Sequence, residues 1–446
     1  MKTQRTLKIQ LDPEVTIPEE ATPFQALTLA FWRFQGLAAT TVFTAVLEAI
    51  QQRARAELDA RFPGRFRYKE RRSRQWQLPF GRVEFGLIKM QDRRTRRTVY
   101  PLKEVMDLPA WVRWCEETLL PGYRLAMIQS FRKSDDAVRS STPDQRAPST
   151  STLHRRFQDF ACHLDPVPDL AHKPGPKPAA YQMADGTKLK LQDQGWDAGL
   201  ADLRLVLGSR TPHGRLEVLD LSIGDSWDEI AERLRERFPS PPKALVSDGE
   251  EEIPEALGGP DTVHQRCLVH ARRNLTFPLY KDGHKGTDQG PVKEAFAKIP
   301  GLQLCEAELA RLDPTDKELL RDLLEASERA FERIRRMLPQ DTFPHTRHYV
   351  LGLVEDGLTY LRHLLETGEV IPLSTNRLES IWSRILLRIK AIGRRWSQTG
   401  ALHMLAACLV HALHPERYAE VEATLRGERG PHIAVLITAL MATWLS

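Results

Sequence analysis

The chain has 446 residues, of which 41% are hydrophobic and 28% are charged, and its formal net charge is +5. This composition is ordinary for a soluble globular protein, and the length predicts about three domains with a sizeable core. The five cysteines are scattered, odd in number and never spaced as C-x-x-C. That pattern excludes a disulfide framework and predicts a reducing compartment.

Neither a signal peptide nor a membrane span is expected. The first 14 residues contain no apolar core of the kind that a signal peptide requires. The longest apolar run, residues 433–445, has 13 residues and is too short to cross a bilayer. We therefore expect a cytoplasmic protein without a membrane partner, in which this run and residues 402–413 form buried helices.

Positive charge is concentrated in residues 61–100, which contain 13 Lys or Arg and three acidic residues. Such density is costly through self-repulsion unless a polyanion neutralises it, and nucleic acid is the commonest polyanion. Alternating apolar residues at Val83, Phe85 and Leu87 predict a basic β-hairpin over residues 76–100, although a solvated basic face would give the same pattern. The side chains expected to contact nucleic acid here are Arg71, Arg72, Arg74, Arg93, Arg94, Arg96 and Arg97.

Helical patterns flank this hairpin. Residues 23–58 carry apolar residues at helical spacing and predict a long helix. Residues 122–140 and 152–160 predict two further helices around a polar loop, with Ser/Thr candidates for the N-cap of the second. Through Arg155 and Arg156 this pair could act as a helix-turn-helix-like unit on DNA, although any amphipathic helix pair would look the same.

A proline-rich stretch, residues 166–178, predicts a linker, and a different pattern follows it. Three short segments predict an antiparallel meander of strands, at residues 181–191, 203–208 and 216–223. Ser226 is a candidate N-cap for a helix over 227–238, and the apolar residues 244–246 predict a buried strand. Three antiparallel strands, a helix and a further strand form the first half of a ribonuclease H-like fold.

Two acids occupy neighbouring positions in that topology, Asp185 on the first strand and Asp248 at the end of the fourth. Adjacent carboxylates repel each other, and both stay ionised only when a cation lies between them. Mg²⁺ or Mn²⁺ is expected at such a site of oxygen ligands, and two ions roughly 4 Å apart would promote attack on a phosphodiester. Glu379, on a helix that Ser374 or Thr375 would cap, is the candidate third acid.

The helix that carries Glu379 is otherwise cationic, since Glu379 is the only acid between Thr375 and Gln398. Its basic residues and those just after it are Arg377, Arg384, Arg388, Lys390, Arg394 and Arg395. A lone carboxylate in a cationic field suits a site beside DNA. We expect Arg384, Arg388 and Lys390 to contact that DNA.

Other acids fit the catalytic roles less well. Glu250, Glu251 and Glu252 suit a helix N-terminus, where the helix dipole favours negative charge. Asp220 lies within the third predicted strand and could face the site. Glu355 and Asp356 belong to a helical region and lack a cationic setting.

Four strings occur in a fixed order along the chain: ADGTKLK, ALVSDG, HQRCLVHARRN and STNRLES. Together they resemble the DDE transposases of the Mutator-like group, over about residues 180–412. The resemblance implies a ribonuclease H-like core with a helical insertion between the second Asp and the Glu. It implies that Asp185, Asp248 and Glu379 are the catalytic, metal-binding acids. Leu268 departs from the aromatic residue that the family often has at that position.

Cys267, His270 and Asn274 fall on the C-x-x-H motif, with a later Asn, that the family shows after its second Asp. Zinc usually takes four ligands from two segments, and the sequence offers no second such pair, although His264 is a further possible ligand. A buried thiol and a hydrogen-bonded imidazole would explain the same residues. We expect the three to lie next to the active site.

These patterns predict a mixed α+β and α/β chain, with a ribonuclease H-like core, an α-helical insertion and a mainly helical N-terminal DNA-binding region with a basic β-hairpin. The expected domains are residues 1–118 (N-terminal helices and hairpin), 119–165 (helix-turn-helix-like unit), 166–179 (linker), 180–274 (first part of the core), 275–370 (insertion) and 371–446 (last part of the core and C-terminal helices).

The function implied by the resemblance is transposition of an insertion sequence. Such a protein binds terminal inverted repeats, cuts the DNA with the help of Mg²⁺ or Mn²⁺, and joins the ends to target DNA. We expect a homodimer or larger assembly in the synaptic complex, associated with the nucleoid. A non-catalytic DNA-binding descendant and a structure-selective nuclease of the same fold are the alternatives.

Overall fold

The computed structural model describes residues 22–106, 113–167, 180–192, 200–390, 392 and 396–425. The expected N-terminal segment, most of the linker, Arg394, Arg395 and the apolar run 433–445 lie outside these ranges. The chain divides into two compact units, Met1–His163 with Glu416–Ser446, and Leu164–Pro415. Within the described ranges, every helix is too short or too polar to span a lipid bilayer.

A long helix and a three-stranded sheet open the first unit. Helix α1 spans Pro23–Arg61, and strands β1 (Phe66–Leu78), β2 (Gly81–Asp92) and β3 (Thr98–Val99) pair antiparallel in that order. Thr22 and Gln25 form a capping box at the start of α1. Leu47 of α1 is buried in one cluster with Val83 and Phe85 of β2. The alternation seen in β2 therefore faces the helix, and the predicted helix and hairpin are confirmed.

The hairpin begins earlier than its sequence predicts. Strand β1 starts at Phe66 rather than at Trp76, and the first tight turn lies between Leu78 and Gly81. β1 is the edge strand, and its residues 68–75 are mostly exposed. A charged edge strand has no apolar alternation, so its pattern does not indicate a strand.

Four shorter helices follow the sheet: α2 (Pro101–Met106), α3 (Glu116–Ala126), α4 (Phe131–Ser140) and α5 (Thr150–Ala161). The single helix predicted over 122–140 is in fact two helices, because Ser130 accepts a hydrogen bond from the Lys133 N–H and starts α4. The predicted Ser/Thr cap of α5 is confirmed as Ser149. Tyr123 of α3 contacts the rings of Phe157 and Phe160 of α5, which joins these helices.

A mixed five-stranded sheet forms the centre of the second unit. Its strands are β4 (Tyr181–Lys190), β5 (Leu200–Ser209), β6 (Glu217–Ile223), β7 (Ala244–Ser247) and β8 (Val263–Arg266), in the order β6-β5-β4-β7-β8. β4, β5 and β6 are antiparallel neighbours, whereas β7 runs parallel to β4 and β8 parallel to β7. Helix α6 (Trp227–Arg237), capped by Ser226, connects β6 to β7, and α7 (Glu252–Leu257) connects β7 to β8. The predicted meander, helix and buried strand are confirmed.

Strand β8 was not predicted, because its sequence VHQR lacks an apolar run. Gln265 of β8 is fully buried, and hydrogen bonds satisfy its polar side chain. Its amide oxygen accepts the Tyr360 N–H at 2.8 Å, and its amide nitrogen donates to the Gly357 carbonyl at 3.2 Å. A fully hydrogen-bonded amide can occupy a core without a large desolvation penalty.

Helices make up the rest of the second unit. Those before residue 370 are α8 (Leu268–Asn274), α9 (Thr276–Lys281), α10 (Gly290–Phe296), α11 (Pro300–Gln303), α12 (Glu306–Leu309), α13 (Lys317–Met337), α14 (Pro344–Asp356) and α15 (Thr359–Thr367). Helices α16 (Asn376–Ile389) and α17 (Gln398–Leu413) follow in this unit, whereas α18 (Pro415–Leu425) belongs to the first unit from Glu416 onward and ends the described chain. The buried helix predicted over 402–413 is thus confirmed as part of α17.

The helical region and the sheet share one core. The same buried cluster contains Tyr181 of β4, Ala244 of β7, Leu268 of α8 and Leu361 of α15. Helices of this region therefore pack against the part of the sheet that contains β4 and β7.

Candidate active site

The parallel pairing of β4 and β7 brings the first two predicted acids to the same level of the sheet. Tyr181 lies opposite Ala244, and Met183 lies opposite Val246. Continuing this register by two residues places Asp185 opposite Asp248, which directly follows β7. The expectation that these two residues are neighbours agrees with this pairing.

Gly249 makes the turn after Asp248 possible. Its φ angle is +102°, a conformation that residues with a Cβ rarely adopt. A Cβ at this position would also collide with the guanidinium of Arg266, which donates to the Gly249 carbonyl at 3.1 Å. The glycine of the SDG string is therefore required by backbone geometry.

Asp185 is 8% exposed, and its pKa is raised above the ordinary value for an aspartate. Burial raises the pKa of the Asp185 carboxyl to about 7, and the negative charge of Asp248 is the second cause of the shift. Glu379 adds to the rise in pKa, whereas His270 opposes it. The Asp185 carboxylate accepts the Gly186 N–H at 2.9 Å. All three predicted acids are thus near enough to interact, and a cation among them would relieve both the repulsion and the burial cost. Three carboxylates are the kind of donor set that hard divalent ions such as Mg²⁺ or Mn²⁺ prefer, but among the described residues it is Cys267, His270 and Glu379, not the three acids, whose ligand atoms all lie within 4.8 Å of one another.

Glu379 points inward from the first turn of α16, and its side chain is 27% exposed. One carboxylate oxygen lies 3.4 Å from His270 Nδ1, and the other lies 3.6 Å from a guanidinium nitrogen of Arg273. The residue expected as the third acid is thus held by the residues of the C-x-x-H motif.

Cys267 and His270 form one buried cluster with Glu379. Cys267 is fully buried at the start of α8, and His270 lies one turn further on. Burial acts to raise the pKa of the Cys267 thiol, but hydrogen bonds from His270 and Thr375 outweigh it, so that the pKa falls below its ordinary value. Burial acts to lower the pKa of His270, but its contacts with Cys267 and Glu379 raise the pKa overall. Asn274 ends α8 and lines a groove of about 980 Å³ together with Asp248.

Thr375 has a role that the sequence does not reveal. It was a candidate helix cap, but at the start of α16 its side chain makes no capping hydrogen bond. Its hydroxyl instead lies 3.3 Å from Cys267 Sγ, 3.4 Å from His270 Nδ1 and 3.5 Å from a Glu379 carboxylate oxygen. The only available signal was its position four residues before Glu379, which places both side chains on one helix face.

The basic residues of α16 divide into surface and interior groups. Arg384 is exposed, and the Lys390 ammonium donates to the Thr187 hydroxyl beside Asp185. Burial lowers the pKa of Lys390, and the charge of Asp185 opposes that shift. Arg388 is fully buried, with its guanidinium 4.7 Å from the centre of the Trp396 ring. The expectation that Arg388 contacts DNA is therefore corrected, since in this conformation it presents no surface.

Two other acids are also placed differently from the expectation. Asp220 accepts two hydrogen bonds from Arg233 of α6, at 2.8 and 3.0 Å, so it is bound to that helix instead of facing the site. Asp356 lies 3.7 Å from Arg266, and it therefore does have a cationic neighbour. Burial raises the pKa of Asp356 to about 6, although Arg266 opposes the shift. Glu252 lies in the first turn of α7, as predicted.

In the first unit, the arginines predicted to contact DNA are closest together in the exposed turn between β2 and β3. All four of its arginines are exposed: Arg93, Arg94, Arg96 and Arg97. The Asp92 carboxylate fixes the turn by accepting the N–H groups of Arg94 and Thr95, at 2.8 and 3.3 Å. This turn is a cationic surface with a defined backbone.

The remaining predicted DNA contacts of the first unit differ in their surroundings. Arg71 forms an ion pair with Glu48 of α1, and Arg72 forms one with Glu70 at 2.6 Å. Arg74 lies on β1 and is half-buried. On α5, Arg155 is exposed. Arg156, in contrast, is paired with Glu116 of α3 and so holds two helices together.

A comparison of the chain with models of known protein families and with curated protein sequences finds no match. What the chain does is therefore inferred from its own residues and their geometry.

Proposed function

We propose that the protein is a DNA transposase that cuts DNA at the ends of a mobile element and joins the freed 3′ ends to target DNA. The observation that carries this proposal is the interaction of three acids from distant parts of the chain, Asp185, Asp248 and Glu379, at one end of the sheet. A group of carboxylates is a suitable ligand set for the divalent ions that promote phosphodiester cleavage.

The topology supports the same proposal. Three antiparallel strands followed by two parallel ones, in the order β6-β5-β4-β7-β8, would suit the ribonuclease H-like core that the proposal requires. Between the strand that precedes Asp248 and the helix that carries Glu379, the chain forms α7, β8 and then helices α8 to α15. A helical insertion at that place is what the resemblance to Mutator-like transposases implies.

Asp185, Asp248 and Glu379 would hold the metal ions. Bound Mg²⁺ or Mn²⁺ would activate a water or a 3′-hydroxyl and stabilise the leaving oxygen. The chain's own residues would supply a rigid frame for this chemistry, since Asp185 lies on β4, Asp248 directly follows the paired strand β7, and Glu379 contacts Thr375, His270 and Arg273. Lys390 lies beside Asp185 and would offer its ammonium to the phosphate backbone.

The cationic surface of the first unit suits the binding of element ends. The turn with Arg93, Arg94, Arg96 and Arg97 would contact DNA phosphates, and exposed Arg155 on α5 would contribute another contact. Each phosphate contact releases counterions, so the affinity for DNA should fall steeply as salt increases.

The test is a strand-transfer assay with supercoiled target plasmid and a linear DNA that ends in the inverted repeats flanking the coding sequence. We expect cleavage and joined products that require Mg²⁺ or Mn²⁺. Asp185→Asn, Asp248→Asn and Glu379→Gln should each lower both activities by at least about 100-fold, because each removes one metal ligand. All three should still shift the DNA in a gel. The matched control is Asp202→Asn, an exposed acid paired with Lys188, which should keep activity.

Three outcomes would contradict the proposal in different ways. Undiminished cleavage by one acid variant would remove that residue from its role. A gel shift with neither cleavage nor joining would favour a non-catalytic DNA-binding protein. Cleavage without joined products would favour a structure-selective nuclease.

A further inference from the structure

Four side-chain atoms meet in a compact group next to Glu379, and we call Cys267, His270, Thr375 and Glu379 the donor cluster. The Thr375 hydroxyl oxygen is 3.3 Å from Cys267 Sγ, 3.4 Å from His270 Nδ1 and 3.5 Å from a Glu379 carboxylate oxygen. His270 Nδ1 and the Glu379 oxygen are themselves 3.4 Å apart. The ligand atoms of Cys267, His270 and Glu379 all lie within 4.8 Å of one another.

These separations are close to those of a tetrahedral zinc site. Zinc binds sulfur at about 2.3 Å and nitrogen or oxygen at about 2.0–2.2 Å, so two ligands at the tetrahedral angle are about 3.3–3.7 Å apart. Four of the six separations in the donor cluster, from 3.3 to 3.5 Å, fall in this range. The other two separations, Cys267 to His270 and Cys267 to Glu379, are at most 4.8 Å. Each would have to shorten by about 1 Å at most to fall in the tetrahedral range.

The kinds of ligand also distinguish this cluster from the three-acid site. A thiolate and an imidazole select zinc and similar ions, whereas Mg²⁺ takes oxygen ligands. Cys267 is fully buried and His270 is 6% exposed, which would exclude competing water. Glu379 is 27% exposed and leaves an access route from solvent.

We propose that Cys267, His270 and Glu379, with the Thr375 hydroxyl at the fourth vertex, bind one thiophilic divalent ion of the zinc type. A second element of the proposal is regulatory and rests on the proposed function. Glu379 belongs to both groups of ligands, so an ion in the donor cluster would withdraw the third acid from the catalytic ions. Zinc would then inhibit DNA cleavage and joining.

The binding site is tested with Co²⁺ and Zn²⁺ added to the metal-free, full-length protein. We expect a thiolate-to-cobalt absorption band in the near ultraviolet that saturates at one Co²⁺ per chain and disappears when Zn²⁺ displaces that ion. Cys267→Ser should abolish the band. His270→Ala should weaken Co²⁺ binding by more than about 100-fold, beyond the cost of losing an outer hydrogen-bond partner of a ligand.

The controls are a second thiol and a second imidazole. Cys162→Ser removes an exposed thiol, and His264→Gln removes an imidazole whose partner is Ser247. Both variants should keep the band and the affinity. Far-ultraviolet circular dichroism of each variant without metal checks its fold. Absence of the band in the wild type, or an unchanged band in Cys267→Ser, would overturn the proposed site.

The regulatory element has its own readout. For each variant, the rate of DNA joining in Mg²⁺ is compared with and without micromolar Zn²⁺. The wild type and Cys162→Ser should be inhibited at least about tenfold, whereas Cys267→Ser should show a ratio near one, whatever its basal rate. Equal inhibition of all variants would overturn the regulation. If the wild type has no joining activity, the proposed function fails, yet Co²⁺ binding still decides the metal site.

Discussion

The raised pKa of Asp185 predicts how the free energy of unfolding of the metal-free protein changes with pH. Burial and the neighbouring Asp248 raise this pKa from 3.8 to about 7, so between these two values the folded protein binds a proton that the unfolded chain has released. Stability must therefore fall as the pH rises through this window. At 1.36 kcal/mol per pH unit, the loss is about 4 kcal/mol in all, of which about 2.5 kcal/mol falls between pH 5 and pH 8.

Asp185→Asn removes this titration while keeping the size of the side chain. In urea unfolding with EDTA, the free energy of unfolding of the variant minus that of the wild type should increase by up to about 2.5 kcal/mol between pH 5 and pH 8. Saturating Mg²⁺ should stabilise the wild type at pH 8 and should have much less effect on the variant. The exposed, ion-paired Asp202 serves as control, and Asp202→Asn should change stability by less than about 1 kcal/mol at either pH.

Two results would refute this reasoning. If Asp185→Asn and the wild type keep the same stability difference at pH 5 and pH 8 in EDTA, Asp185 does not carry the raised pKa. If Mg²⁺ stabilises both proteins equally at pH 8, the ion does not bind through Asp185.

Three further predictions concern residues around the candidate site and in the cationic turn of the first unit. Gly249→Ala should destabilise the protein by more than Gly224→Ala in thermal unfolding, because both positions have positive φ but only the first would bring a Cβ against Arg266; equal losses would show that the contact with Arg266 is unimportant. Arg388→Met should change the salt dependence of DNA binding very little, since Arg388 is buried over Trp396, and a clearly shallower slope would show that it reaches DNA. Arg94→Gln should reduce the slope of log affinity against log salt by about one, with little effect on unfolding, and an unchanged slope would exclude a phosphate contact there.

Regular apolar patterns allowed much of the second unit to be predicted from sequence. The meander, α6 and the buried strand β7 have alternating or continuous apolar residues, and the structure confirms them. Strand β8 escaped prediction because Gln265 replaces an apolar residue with a polar one whose partners lie 92 and 95 residues away. Strand β1 escaped because its charges face solvent at a sheet edge. Long-range partners and edge positions are not encoded in local periodicity.

The candidate site also has features that the sequence could predict and features that it could not. The positions of Asp185 and Asp248 follow from strand order, and pairing of β4 with β7 is enough to bring them together. The burial of Arg388 could not be read from a helix with cationic residues on several faces, because the ring that receives it, Trp396, comes after the helix ends. The contacts of Thr375 were also hidden, since Cys267 lies 108 residues earlier.

Because the helical region and the sheet share one core, deletions and substitutions in the helices should also affect the sheet. Tyr181 and Ala244, on the strands that lead to the two aspartates, are covered by side chains from α8 and α15. Excising residues 275–370 would therefore remove apolar cover from the strands that position these aspartates, and the remaining fragment would unfold or aggregate. Substitutions of buried side chains in α15, such as Leu361, would loosen the same apolar cover, although that helix carries none of the three predicted acids.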